Sequence, residues 1–427
     1  MKPSHLTNKK ELSVEKGNIL EILKQTLKNA IPAHDRRTTL PHLEFVCGII
    51  FCFIGDTKTS SIESMRRSMI YAFGIRLSKG AFWERLSRNR LRNILQNILK
   101  DLITNIPSLA VIGEEILDKL KVSSILLIDS SSITLWDGAK KSYPGCRSYA
   151  GIKWHACFNL LSGKMEWFST SASSAHDRKY FPDIDLLKGK LIVFDLGYWD
   201  YGLFDAINKV QGYFLSRVKT NAVITIDQVV KGIGSQWVGA RLCSDHLKRR
   251  RRRIVEFMGK IGSAEHSKCY RVIGFWNSAD KKYHWYVTNL QVPAVAIYSL
   301  YRIRWQIELI FKGCKRSLNV DEKVTSNNDN IIESLVLSTI IASFAIQSVF
   351  QEGAKELTAQ EKLSISFQRL SHIVVLLAQD FINYLTSNNP LEKLRNKISL
   401  LSGEIYEKNH GHRCTTLQLL ANDLGCC

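Results

Sequence analysis

"SSILLIDSSSITL", Ser123 to Leu135, decides how the middle of this chain folds. Four consecutive apolar residues, Ile125 to Ile128, run into Asp129. A short apolar run of this kind suits a strand covered on both faces, as in α/β sheets. Downstream, "GIKWHACFNLLSGKMEWFSTSASS" (151–174) reads as two strands around a Ser-Gly turn, a hairpin. "HDRKYFPDIDLLKGK" (176–190) has a helical pattern broken by Pro182, and "KLIVFDLGYWD" (190–200) is a second apolar run, ending at Asp195. "YGLFDAINKV" (201–210) reads as a short helix and "GYFLSRVK" (212–219) as another strand. The predicted order is β-β-β-α-β-α-β, a mixed sheet with helices on its faces.

After Val218 the helical alternation stops. "NAVITIDQVV", "RRIVEFMGKI", "YRVIGFW" and "HWYVTNL" are strand patterns within residues 219–292, and Pro293 closes them. Residues 1–115 read as helical. Within them Ser61–Phe73, a glycine turn at Gly74 and Ser78–Arg88 fit either a helix–turn–helix or an ordinary helical hairpin. Residues 293–350 return to helices, and 351–427 are helical as well. The predicted class is thus α/β, with a mixed-sheet core in 116–218 and 293–350, a β-rich insertion in 219–292, and helical N- and C-terminal regions.

The chain has 427 residues, 59 Lys and Arg against 39 Asp and Glu, and a formal charge of +20. That excess points to a polyanionic partner, most often nucleic acid. The opening "MKPSHLTNKKELSVEKG" has no apolar core and does not read as a secretion signal. "SLVLSTIIASFAIQSVF" (334–350) is broken by serines and Gln347 and reads as a buried helix, so no membrane span is expected. Ten cysteines show no CxxC pair and no zinc spacing, which suits reduced thiols in the cytoplasm. The run Lys248–Arg253 is a basic loop that any polyanion would attract.

"YRIRWQIELIFKGCK" (301–315) crowds cations around one glutamate. At about 100° per residue, Tyr301, Arg304, Glu308, Lys312 and Lys315 share roughly a quarter turn of a helix. Ile303, Ile307, Ile310, Phe311, Cys314 and Leu318 form the opposite, apolar side. The stripe fits either i,i+4 ion pairs on a solvated face or a binding site. Asp129 and Asp195, each closing an apolar run, fit either strand-end turn and helix N-cap roles or a pair of neighbouring carboxylates. Two such anions repel unless a cation lies between them, and hard divalent cations take oxygen ligands. Glu308 is the candidate third carboxylate. Lys153 and His155 alternate on a strand and fit either side chains that reach the site or a strand's solvent face, and His176–Asp177 fits a helix cap.

Together these blocks resemble the DDE transposases of bacterial insertion sequences, in the branch called the insertion-sequence-four family. Tyr301, Arg304, Glu308 and Lys315 reproduce that branch's Y-x2-R-x3-E-x6-K signature without a gap. "IDSSSITL" with "GIKWH" resembles the first-aspartate block, and "FDLGYWDYGLF" the second, with Leu196 where Arg is common. The resemblance implies a ribonuclease-H-like catalytic core with Asp129, Asp195 and Glu308 as catalytic and metal-binding residues. It implies two Mg²⁺ ions, with Mn²⁺ as a substitute, and DNA contacts from Tyr301, Arg304 and Lys315. It also implies cleavage at terminal inverted repeats and strand transfer into target DNA, by a homodimer on DNA in the cytoplasm. A nuclease that cuts without joining, or a repressor that only binds, are the alternatives.

Overall fold

The computed structural model describes residues 18–31, 40–52, 54, 61–106, 114–146, 149–160, 164–242, 252–262, 267–318, 324–358, 361, 365–387, 389–406 and 415–426. Nine strands form one sheet: β1 (Ile125–Leu135), β2 (Ala150–Asn159), β3 (Lys164–Ala172), β4 (Leu191–Phe194), β5 (Tyr213–Arg217), β6 (Ile224–Lys231), β7 (Ile254–Ile261), β8 (Lys268–Asn277) and β9 (Lys282–Thr288). Their spatial order is β3-β2-β1-β4-β5-β9-β8-β7-β6.

β1 is the pivot. It pairs antiparallel with β2 on one side and parallel with β4 on the other. Ile125 to Ile128 are buried on both faces, as an inner strand covered by helices requires. The parallel pair β4–β5 is joined by the crossover helix Tyr201–Lys209, whose N-cap Asp200 accepts from the Leu203 amide at 2.8 Å. The first five strands are therefore the mixed, ribonuclease-H-like sheet expected from the sequence.

Two local readings are corrected. β1 does not stop at Asp129. Its parallel partner leaves after Ile128↔Phe194, but β2 continues the pairing from Asp129↔Ala156 to Leu135↔Ala150. The helix expected in 176–190 is absent; only the 3-10 turns Asp177–Lys179 and Ile184–Leu187 form there. Pro182 has no amide hydrogen and disfavours helical geometry at Phe181, so neither turn propagates. The β-rich insertion expected over residues 219–292 forms as strands β6 to β9, and because β9 pairs with β5 it extends the same sheet.

The added strands also brace the entry to the next helix. Buried Arg271 on β8 donates Nε to Glu256 on β7 at 2.7 Å. Its Nη1 donates to the carbonyls of Leu290 at 2.9 Å and Val292 at 2.7 Å. Those carbonyls lie just before Pro293, which starts the helix Ala294–Ile303. Arg271→Met would leave the Glu256 carboxylate buried without its cation. We expect it to cost about 3–5 kcal/mol, read as a shift of the urea midpoint.

The helix Asp329–Gly353 is buried along nearly its whole length and packs against Asn89–Asn105 and Phe367–Leu376. It is long and apolar enough to cross a membrane by composition, yet 94% of its apolar window lies inside the protein, as a core helix would. In the N-terminal region the helices Ile62–Phe73 and Lys79–Ser87 form where their signals stand. Ser61 and Ser78 cap them, and Gly74 between them takes φ 62°. Residues 248–251 of the basic run lie outside the described residues; Arg252 and Arg253 are exposed.

Candidate active site

The β1–β4 ladder ends at Ile128↔Phe194, and the next residue on each strand is an aspartate. The shared apolar pattern of the two runs thus sets Asp129 and Asp195 side by side at the carboxyl end of a parallel pair, where function gathers in such sheets. Asp129 remains in β1, and its Oδ1 accepts from the Ser130 amide at 2.8 Å. Asp195 leads into the 3-10 turn Leu196–Tyr198. The N-cap of the next helix is Asp200, so Asp195 is free of that structural duty.

The third element comes from the helical stretch that packs against β5 and β1. The stretch expected as one helix over 301–315 is two helices, Ala294–Ile303 and Trp305–Lys312, meeting at Arg304 and continuing into a π-helical turn, Gly313–Ser317. The joint is tight: the Arg304 amide bonds to the Tyr301 carbonyl at 3.1 Å, a 3-10-type step. The apolar side lies against the core as its spacing predicts, with Ile303, Ile307, Ile310, Phe311, Cys314 and Leu318 all buried. The polar stripe therefore faces the two aspartates.

Arg304 sits at the centre. Nη1 donates to Asp129 Oδ2 at 2.6 Å and Nη2 donates to Glu308 Oε1. The Arg304 side chain is only 11% exposed, and its Nε has no hydrogen-bond partner among the described residues. Burial would lower the pKa of Arg304, but the charges of Asp129, Asp195 and Glu308 outweigh it and hold it above the usual range. Burial also pushes the Asp129 carboxyl up to about 6, against the pull of Arg304 and with the repulsion of Asp195 and Glu308 added. Two carboxylates thus pair with one guanidinium, and a third, Asp195, is near enough for its charge to act on both Arg304 and Asp129.

Tyr301 is buried against Tyr286, with ring centroids 5.0 Å apart, and its hydroxyl donates to Asp195 Oδ1 at 3.1 Å. It orients that carboxylate and offers no open face for stacking a base. Lys315 donates to the Ser132 carbonyl on β1. All three residues expected to meet DNA are therefore engaged within the protein. Of the two surface ion pairs considered for the stripe, Arg304–Glu308 forms but is shared with Asp129. Lys312 is exposed and makes no such pair among the described residues.

Sequence reasoning missed a second polar cluster. His155, for which the sequence left both the site and a solvent face open, is fully buried. Its Nε2 lies 2.9 Å from Ser171 Oγ, its Nδ1 lies 3.4 Å from the Tyr198 hydroxyl, and its ring stacks on Tyr180 at 4.5 Å. Burial pushes the imidazole down to about 4, so it is neutral at pH 7. Lys153 donates to Asp177 Oδ1 at 2.7 Å and to the Ala175 carbonyl at 2.8 Å. Cys157, on the same face of β2, was the one sign in the sequence that this face is covered.

The family model of the Transposase DDE domain matches residues 120–344. Putative transposase y4zB of Sinorhizobium fredii (strain NBRC 101917 / NGR234) is 26% identical over 218 residues, 51% of this chain and 58% of that one. The transposase for insertion sequence element IS231F of Bacillus thuringiensis subsp. israelensis is 24% identical over 348 residues, 69% of this chain and 70% of that one. Among solved structures, a piggyBac transposase synaptic complex with hairpin DNA aligns over 93% of this chain and 84% of that chain, with TM-score 0.42 and 11% identity, a distant likeness. The match to this chain spans little more than half of the first relative's length. Because the DDE-domain model covers more than half of the 427 residues and takes in both aspartates and Glu308, the chain belongs to the DDE transposase family.

Proposed function

We propose that the protein is a transposase that cuts DNA at the inverted-repeat ends of an insertion sequence and joins the freed 3′ ends to target DNA. The observation that carries this reading is the meeting of Asp129 and Glu308 on Arg304, with Asp195 held beside them by Tyr301, within the DDE-domain match. The charge of +20 suits a DNA partner. The names of the relatives, transposases for insertion sequence elements, point the same way.

The family's chemistry implies divalent cations, and the donor set here suits them. Among the described residues no three acidic, His or Cys side chains are set to hold an ion as they stand. Yet Asp129 and Glu308 already pair with a cation, the Arg304 guanidinium, which stands where positive charge is wanted. All three carboxylates are hard oxygen donors, as Mg²⁺ requires and as Mn²⁺ accepts. Asp129, Asp195 and Glu308 would hold the ions, two in the reading favoured here. Bound there, the ions would activate water and neutralise charge on the phosphodiester oxygens.

The chain's own residues do the positioning. Asp129 and Asp195 present carboxylates from adjacent strand ends, and Tyr301 fixes the orientation of Asp195. Arg304 neutralises Asp129 and Glu308 in the free protein and would be available to a DNA phosphate with those carboxylates holding ions. Lys315, now tied to Ser132, lies on the same stripe for a neighbouring phosphate. Recognition of the ends is assigned to the N-terminal helices Ile62–Phe73 and Lys79–Ser87, with exposed Lys79 and part-exposed Trp83 on the second. A homodimer would bring two ends together on DNA in the bacterial cytoplasm.

The test uses the full chain, Mg²⁺ and DNA carrying the inverted repeats that flank the coding region. The expected products are breaks at the element ends and joined target strands, lost on chelation and restored by Mn²⁺. Breaks without joining would assign a nuclease instead, and end binding without breaks a repressor.

A further inference from the structure

Beyond Ile128↔Phe194 the two aspartates are held in different ways. Asp129 stays in a strand, paired with Ala156 of β2. Asp195 leaves the sheet for the turn Leu196–Tyr198. That turn has two internal bonds, the Tyr198 amide to the Asp195 carbonyl at 3.1 Å and the Trp199 amide to the Leu196 carbonyl at 3.2 Å. They shape the turn but do not attach it to the sheet. Tyr301 holds the Asp195 carboxylate and the Tyr198 hydroxyl bonds to Ser130 of β1, while the backbone of the turn at Leu196 and Gly197 takes its support from another segment.

The turn Asp177–Lys179 packs against Leu196–Tyr198. Asp177 Oδ2 lies so close to Gly197 that a β-carbon there would stand 2.6 Å from it, so a side chain at 197 would displace the carboxylate or the turn. The other oxygen, Oδ1, receives Lys153 Nζ at 2.7 Å. The Lys153 side chain is 12% exposed, and its residue faces Ser132 across the β1–β2 ladder. A continuous path therefore runs from the strand of Asp129, through β2, Lys153 and Asp177, to Gly197, two residues past Asp195. At the surface Arg178 Nη2 pairs with Asp200 Oδ2 at 2.5 Å and clasps the same two segments. From the inner side His155 reaches the Tyr198 hydroxyl.

We propose that Asp177, fixed by Lys153, is the positioning residue for the turn that carries Asp195, and so sets the spacing of the two aspartates. The positioning stands on the geometry alone; its consequence for DNA cutting rests on the function proposed above.

Amide hydrogen exchange on the full chain reads the positioning, and Mg²⁺-dependent cleavage of end DNA reads the consequence. Asp177→Ala is expected to speed exchange of the Tyr198 and Trp199 amides about tenfold or more, with β1 and β4 amides unchanged within about twofold. Cleavage at saturating DNA should fall about 10²-fold, with KM for DNA unchanged, because a misplaced ligand affects the reacting geometry and not DNA docking. Gly197→Ala pushes the turn off the Asp177 carboxylate and should give the same signature; it decides the matter if Asp177→Ala does not fold. Unchanged exchange at Tyr198 and Trp199, or equal loss of protection along β1 and β4, overturns the proposal. If the wild type does not cut end DNA, the proposed function falls and the exchange result still decides the positioning.

Discussion

Glu308→Gln is expected to lower cutting of end-containing DNA about 10³-fold or more while leaving the protein folded and able to bind DNA. Gln keeps the shape and one acceptor oxygen for Arg304 Nη2, so the packing against Asp129 survives. It removes the negative charge that a divalent ion needs. Asp195→Asn should behave in the same way, since Tyr301 can still donate to its amide oxygen. Asp129→Asn removes the buried carboxylate that Arg304 Nη1 holds at 2.6 Å, so its loss of cutting should come with lower stability. Single-turnover cleavage and mobility shift on the same preparations separate the two effects. Any of the three that keeps near-wild-type cleavage is thereby taken out of the site.

Arg304→Ala has the second largest expected effect, and it acts twice. Asp129 and Glu308 lose the cation between them, which should cost about 3–5 kcal/mol, because the guanidinium is nearly buried. Cutting and joining per folded molecule should also fall about 10²-fold or more under the proposal that the side chain positions a phosphate in the reaction. If Arg304 were only a buried ion-pair partner, the melting temperature would drop and turnover per folded molecule would stay as in the wild type. Arg304→Lys divides the roles further. A single ammonium can satisfy one carboxylate and recover part of the stability, but it cannot span Asp129 and Glu308 as the fork does, so cutting should remain low.

Much of this site was legible because it depends on local patterns. Two apolar runs ending in aspartate required two inner strands, and parallel pairing then set the aspartates side by side. The spacing of Ile303, Ile307, Ile310 and Phe311 fixed which side of their helices meets the core. Ser61, Gly74 and Ser78 marked the N-terminal helix ends through caps that act over three or four residues.

The features that were not legible depend on residues far apart in the chain. A helical stripe shows which side Arg304 takes, but not that Asp129, 175 residues away, occupies the space opposite. The polar residues Ser130 to Ser132 hid the continuation of β1, which β2 alone sustains. Lys153 and His155 could be read either way because their partners, Asp177 on a turn and Tyr198 on another, are brought there by tertiary packing. The expected helix over 176–190 failed at Pro182, whose breaking effect outweighed the apolar spacing around it.

The most direct measurement is a Mn²⁺ titration monitored by electron paramagnetic resonance, on the wild type and on Asp129→Asn, Asp195→Asn and Glu308→Gln. The expected result is saturable binding by the wild type, displaced by Mg²⁺ and weakened about tenfold or more by each substitution. Binding equal to wild type in all three variants, or no saturable binding by a wild type that still cuts DNA, would contradict a metal-dependent centre built from these carboxylates.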